Sequence, residues 1–413
     1  MQTKLAKTIL ALQPLFSVPV YFSVLTGSPP MWLSLIIAIL PLIIRYRYTR
    51  RIFTRTPFDI PILIFLCGTM IGFIVSLDKN VATGALSSTI ASILVYYGIT
   101  ANSSAARKYW LWTGGIICLI TMVLSLWFLY QSDHRVLFFN QWAFNLFSGF
   151  PRTTGPVLQL NTIGALLAVV IPPLFVFFFF KYQFSLRITA LLLWLFFTGI
   201  LFLSDSGAGW IAFTVSLAFI LVYWRRRLIW VCLPAGGLLT AAIIMFYDKT
   251  EWLRITFSTG SFMGRVELWQ NTIALLRDKA IIMGLGLGSW YEVYSNHYGA
   301  SVPEVHNSYL QTYCDAGILG LIAMVLAGII VIRLALNMVK SSRQNPGYWI
   351  GIGLIGSIIS GAVFAMFDVT PTITYVTQTG YIYLALPLLW IGAALISVIH
   401  MRNLLRVISH DAK

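Results

Sequence analysis

Long apolar blocks separated by short polar or basic connections run along most of this chain. Crossing the hydrocarbon core of a bilayer takes ~20 mostly apolar residues in a helix. Twelve stretches qualify, near 8–25, 31–44, 58–77, 85–100, 110–130, 157–180, 188–203, 210–224, 228–246, 308–338, 348–367 and 381–399. The pattern predicts an all-α integral membrane protein of about twelve transmembrane helices, with residues 1–413 forming a single polytopic membrane domain. Two connections are long: the aromatic-rich 131–156, and 247–305 between the ninth and tenth helices. A loop of that length is usually functional or disordered, and the second is too aromatic and too patterned for disorder. Its stretch GRVELWQNTIALL (264–276) sets Val266, Trp269, Ile273 and Leu276 on one helical face, which predicts an amphipathic helix lying at the membrane surface. The MGLGLGSWYEVY that follows reads as a glycine-punctuated turn leading to a second, partly buried segment.

Composition agrees: 58% of residues are hydrophobic and 10% charged, against about 25% charged in a soluble domain. Lys4 and Lys7 precede the first apolar run, but TGSPP follows it with no small-x-small cleavage site, so the run is expected to stay as the first membrane helix. The net charge of +15 points to topology, because the basic residues sit on alternate connections. With both termini in the cytoplasm, RYRYTRR (45–51), Arg107-Lys108, Lys181 with Arg187, Arg225-Arg226-Arg227, Lys340 with Arg343, and the tail Arg402 and Arg406 all fall on the cytoplasmic side. That side takes about 20 of the 28 Lys and Arg with Asp59 and Asp411, and the outer side about 8 basic and 11 acidic residues. The partners this implies are membrane lipids, anionic ones included, and no nucleic acid. The loop 247–305 then faces outward, towards the periplasm or cell exterior. Cys67, Cys118, Cys232 and Cys314 all lie in predicted helices without CxxC spacing, so neither a disulfide framework nor a zinc site is expected.

The candidate chemistry gathers at the outer mouth of the tenth helix, EVHNSYLQTYCDAGILG (304–320). On a helix Tyr309 and Tyr313 stack at i, i+4, His306 shares a face with Tyr313, and Asp315 sits about two turns in, where an ionisable group is costly in lipid. Such residues, Asn307 among them, line a cavity more readily than they meet acyl chains. Taken alone, the tyrosines and His306 also fit an interfacial belt, with Asp315 a buried structural partner. Two outer-side arginines add weight: Arg265 at the start of the amphipathic helix, and Arg152 in FPRTTGP before the sixth helix, with Asn161 further in. Guanidinium forks bind phosphate bidentately and stay charged, suiting a diphosphate leaving group. A histidine suits deprotonation of an attacking hydroxyl. Together they describe glycosyl transfer from a lipid diphosphate. No Asp-x-Asp pair occurs in the chain, so the cations are expected to be arginines, with no metal and no cofactor.

Three stretches in order, RTTGPVLQLNTIGALLA, GRVELWQNTIALLRDKAIIMGLGLGSWYEVY and HNSYLQTYCDAGILGLIA, resemble the O-antigen ligase and O-antigen polymerase superfamily of bacterial membrane glycosyltransferases. The resemblance spans roughly residues 150–325. It implies a GT-C-like helical membrane fold with an outward-facing cavity in the bacterial inner membrane. It also implies an undecaprenyl-diphosphate-linked glycan as donor, a lipid or saccharide acceptor, and metal-independent transfer with inversion at the anomeric carbon. Carried over by residue, His306 takes the place of the family's essential histidine and Arg265 that of its arginine at the long outer loop. Asp315 stands where a glutamate is commoner. One departure is plain: where family members often carry Ser-Arg-Gly-Ala between the seventh and eighth helices, this chain reads LSDSGAGW (203–210), with Gly207 in the arginine's place. Arg152 is the proposed replacement as second diphosphate ligand.

A ligase moving a finished glycan to lipid A core or another surface acceptor, and a polymerase extending the lipid-linked chain, share this chemistry. The compact twelve-helix plan, with its main loop between helices nine and ten, favours the ligase. A secondary transporter is the reading from another class. Its ionisable residues would cluster at the bilayer centre, whereas here they gather at the outer surface.

Overall fold

The computed structural model describes residues 31–53, 55–101, 118–126, 160–176, 184–204, 206–231, 259–299, 304–339, 346–368, 375–377 and 380–382, with single positions at 115, 234, 238 and 302. The expected first span (8–25), the loop 131–156 with Arg152, most of the stretches 228–246 and 381–399, and the stretch 110–130 apart from 115 and 118–126 lie outside the described residues. The remaining apolar blocks become helices: α1 (Met31–Thr49), α2 (Asp59–Val75), α3 (Lys79–Ala101), α4 (Leu160–Val176), α5 (Phe184–Leu203), α6 (Gly207–Trp224), α9 (Ser308–Val339) and α10 (Pro346–Phe367). Two more, α7 (Thr259–Lys279) and α8 (Trp290–Tyr298), belong to the long connection before α9. Lys79–Thr100, Phe184–Leu203, Gly207–Trp224 and Ser308–Leu334 are long and apolar enough to cross a membrane, and Asp59–Val75, Ile163–Val176 and Gly351–Phe367 are shorter apolar helices. The protein is a helical membrane protein. One short stretch departs from helix: Gly380–Ile382, overlapping the start of the twelfth expected span, pairs antiparallel with Tyr375–Thr377. Tyr375, Val376, Thr377, Tyr381 and Ile382 are aromatic or β-branched types that suit a strand.

The chain divides into two units, residues 1–118, 271–351 and 369–413 in the first, and 119–270 with 352–368 in the second. In the first unit α2 packs along α9. GTMIG (68–72) supplies the small-xxx-small spacing that lets membrane helices approach closely. A Cβ at Gly68 would lie 2.7 Å from the Ala316 carbonyl oxygen, and one at Gly72 would strike the Asp315 carbonyl. The buried face of α3 is built from small residues, Ala82, Ala85, Ser88, Ala91 and Ser92, before Val95, Tyr96 and Ile99. Its hydroxyls are satisfied within the helix: Thr89 donates to the Ala85 carbonyl at 3.0 Å and Ser92 to that of Ser88 at 2.9 Å. At the entry to α2, the Asp59 carboxylate accepts from the Thr56 backbone N–H (3.0 Å) and hydroxyl (2.6 Å) and from the Tyr97 hydroxyl (3.0 Å). An acid there also complements the helix dipole.

In the second unit α4 lies between α5 and α6 contacts and carries Pro172 and Pro173 inside the helix. A proline has no N–H, so Pro173 leaves the Val169 carbonyl without its helical donor. Ser357 of α10 fills the vacancy, its hydroxyl donating to Val169 O at 2.7 Å. Buried backbone in a bilayer has no water to turn to, so such a side chain is what makes the prolines tolerable. At the other end of α4, Gly164 meets α6 at Ser206 and Gly209. Ser206 caps α6, accepting from Gly209 N at 3.2 Å, and donates its hydroxyl to Asn161 Oδ1 at 3.0 Å.

Candidate functional site

The site is assembled by a break in α9. Gly317 takes φ 62°, ψ −159°, a conformation open essentially to glycine alone, which splits the helix into a polar first segment and an apolar remainder. In an unbroken helix Ile318 N–H would donate to the Cys314 carbonyl. Here it donates instead to Ile282 O at 2.9 Å, and Cys314 O accepts from Leu285 N at 2.7 Å and Gly286 N at 3.2 Å. The loop 280–289 is thus spliced into the broken ladder, meeting the requirement that buried backbone groups stay paired.

The sequence of that loop is what allows it. Gly284, Gly286 and Gly288 all have positive φ, at 76°, 104° and 72°, a backbone that GLGLG tolerates and a side-chain-bearing residue resists. The other side of the loop is pinned to the end of α2, where Leu287 N donates to Gly72 O at 2.9 Å and Ser76 Oγ donates to Leu287 O at 2.8 Å. Leu287 itself packs on Ala82 and Ala85 of α3. Behind the loop, α8 is docked through Trp290, fully buried, whose indole N–H donates to Thr272 Oγ1 at 3.2 Å and whose ring stacks on Tyr294 at 4.8 Å. Tyr294 in turn receives a bond from Asn271 Nδ2 at 3.3 Å. The glycine turn therefore does lead to a second, partly buried segment.

The residues of the EVHNSYLQTYCD stretch fall into place on this frame. Asn307 caps α9: its side-chain oxygen accepts from Leu310 N at 3.0 Å and its backbone carbonyl from Gln311 N at 2.8 Å. His306, just before the cap, has φ 52°, uncommon for a residue other than glycine. Its imidazole Nδ1 lies 3.4 Å from Glu304 Oε1, with side-chain exposures of 26% and 11%. Tyr309 is half-buried on the first turn. Tyr313 donates its hydroxyl to Ile281 O at 2.6 Å, and Asp315 accepts from Gly288 N at 3.0 Å through Oδ1 and from Gln311 Nε2 at 3.1 Å through Oδ2. Tyr313 and Asp315 hold the glycine loop against the helix break, while His306 stands ahead of the segment, half-buried beside Glu304.

Arg265 lies in α7, half-buried, and forms no hydrogen bond or ion pair with a described residue. It belongs to the second unit and His306 to the first. One expectation for α7 needs correction. The helix begins at Thr259, so Arg265 sits in its second turn rather than at its opening. Its buried face is Leu268, Thr272, Leu275 and Leu276, whereas Ile273 is 55% exposed and Val266 and Trp269 are half-buried. Thr272 belongs to that buried face, accepting from the Trp290 indole at 3.2 Å. Arg152 lies outside the described residues. Gly207, standing in the place of the family's second arginine, is the first residue of α6 beside its Ser206 cap.

Residues 189–325 match a family model described as O-antigen ligase. The resemblance read from the sequence stands on that match. It covers 137 of the 413 residues, and no curated protein matches the chain. The matched segment holds most of α5, with α6, α7, α8 and the first half of α9, including Arg265, the glycine loop and the whole EVHNSYLQTYCD stretch. Glu304 was missed from the sequence: it stands two residues before His306, and its approach to the imidazole depends on the left-handed bend at His306, which residue types alone do not announce.

Proposed function

We propose that this protein is an O-antigen ligase-like glycosyltransferase of the bacterial inner membrane. It moves a glycan from undecaprenyl diphosphate to an acceptor hydroxyl, on lipid A core or another surface acceptor, at the periplasmic face. The observation that carries the reading is that the O-antigen ligase segment contains both Arg265 and His306. In the reaction, the acceptor oxygen forms its bond to the anomeric carbon as the bond from that carbon to the diphosphate breaks, with inversion. The acceptor proton passes to His306, and undecaprenyl diphosphate departs with its growing charge met by Arg265, a half-buried guanidinium open to an anion. Arg152 is the second cation, in place of the arginine absent at Gly207. Asn307, Tyr309, Tyr313 and Asp315 support the cavity around the histidine. About twelve spans with both termini cytoplasmic put this end of α9 on the outer side.

The test is reconstitution of the full chain in liposomes with an undecaprenyl-diphosphate oligosaccharide and several acceptors, the donor itself among them, in EDTA. Product without metal, lost in His306→Ala and in Arg265→Ala, supports the proposal. A single transferred product indicates a ligase and a size ladder a polymerase. Donor left unconsumed by the wild type, or a fully active His306→Ala, overturns it.

A further inference from the structure

We propose that Glu304 is a positioning residue for His306, fixing which imidazole nitrogen faces the acceptor and stabilising the imidazolium once it has taken the proton. The inference rests on the reading of His306 as the base. Three observations carry it. Glu304 is 8% exposed, and a carboxylate is seldom buried to that degree unless its charge is engaged. Its Oε1 lies 3.4 Å from His306 Nδ1, within ion-pair range. Val305, between the two, is completely buried, so the carboxylate and imidazole project from a fixed pin rather than from a free loop.

The backbone adds an independent sign. His306 holds a positive φ, and the Asn307 cap begins on its C-terminal side. A backbone kept in a sparsely populated conformation by its surroundings is a common feature of working sites. The geometry has a chemical consequence. A neutral imidazole carries one N–H and one lone pair, and the partner of one nitrogen decides which is which. With Nδ1 turned to an acceptor-only carboxylate, Nδ1 keeps the hydrogen and Nε2 keeps the lone pair. Nε2 is then the atom that accepts the hydroxyl proton as the acceptor oxygen bonds to the anomeric carbon. The resulting cation lies beside the Glu304 carboxylate, whose negative charge offsets it.

The experiment compares Glu304→Gln, Glu304→Asp, His306→Ala and the double variant Glu304→Gln/His306→Ala in the liposome assay, with thermal unfolding of each as a check on folding. Glu304→Gln is expected to lower kcat about 10–100-fold, as loss of an orienting partner typically does, with KM for the donor little changed. Glu304→Asp should restore part of the rate, and the double variant should be no slower than His306→Ala alone. A folded Glu304→Gln with wild-type kcat, or one whose loss falls on the donor KM with kcat unchanged, overturns the positioning role. A fully active His306→Ala would instead sink the proposed base itself, and the two failures are told apart by that single variant.

Discussion

Gly72→Ala is the sharpest test of how α2, α9 and the glycine loop are fitted together. An added Cβ would fall on the Asp315 carbonyl, and it would also stand 3.4 Å from Leu287 N, whose hydrogen bond to Gly72 O is one of the loop's fastenings. Neither neighbour is the flexible end of a side chain; both are backbone. Overpacking of this kind costs about 1–3 kcal/mol, and loosening the Leu287 bond adds about 0.5–1.5 kcal/mol. Alanine's better helix propensity returns up to about 1 kcal/mol. The net expectation is a loss of about 0.5–4.5 kcal/mol. The control is Gly84→Ala in α3, where an added Cβ meets nothing within 4 Å and the propensity term acts alone. Gly68→Ala, 2.7 Å from the Ala316 carbonyl, should fall between them. Unfolding of the three variants by SDS titration in mixed micelles gives the order directly. Transfer activity should fall with Gly72→Ala and not with Gly84→Ala, because the displaced backbone belongs to the residue that holds Gly288. If Gly72→Ala and Gly84→Ala unfold together, the close approach of α2 to the helix break is not what holds the loop.

Other outcomes follow from single interactions. Ser357→Ala removes the donor that serves the Val169 carbonyl above Pro173 and should destabilise by about 1–3 kcal/mol, the cost of an orphaned buried acceptor; the loss should largely vanish in a Pro173→Ala background, where the helix supplies its own donor. Asp315→Leu strips the acceptors of Gly288 N and Gln311 Nε2 and should reduce stability by about 1.5–3 kcal/mol, whereas Asp315→Asn keeps one acceptor and should be milder, as read by the same titration. Asn307→Ala removes the cap of α9 and should cost about 1 kcal/mol, with transfer slowed because His306 is the residue next to it.

The helices were legible in the sequence because lipid makes the signal simple: a block of ~20 apolar residues has few alternatives to a spanning helix. The stretch expected near 85–100 appears within Lys79–Ala101, and that near 210–224 within Gly207–Trp224. The strand pair Tyr375–Thr377 and Gly380–Ile382 was not legible, because hydropathy ranks a run of tyrosine, valine and isoleucine as readily helical as extended.

The break at Gly317 shows where such reading ends and what it still offers. Apolar length alone makes 308–338 one helix, and nothing within that stretch says that its ladder is interrupted by residues 282–286. The information is divided between two segments thirty residues apart, GLGLG and DAG, each of which looks like an ordinary glycine-rich phrase alone. Yet the polar residues of the first segment do mark the interruption. A helix wholly in lipid would have no use for Asp315 or Gln311, and here one carboxylate is occupied by a loop amide and the glutamine side chain. An acid followed two residues later by glycine, at the head of an apolar helix, is therefore a physical signal that a second stretch of backbone comes in to be bonded there. His306 and Glu304 stand immediately ahead of the segment so fixed. If His306 is the base of the proposed transfer, its place at the end of a doubly fastened helix would hold it in one geometry while a mobile lipid-linked donor approached, the rigidity that orientation-dependent transfer requires.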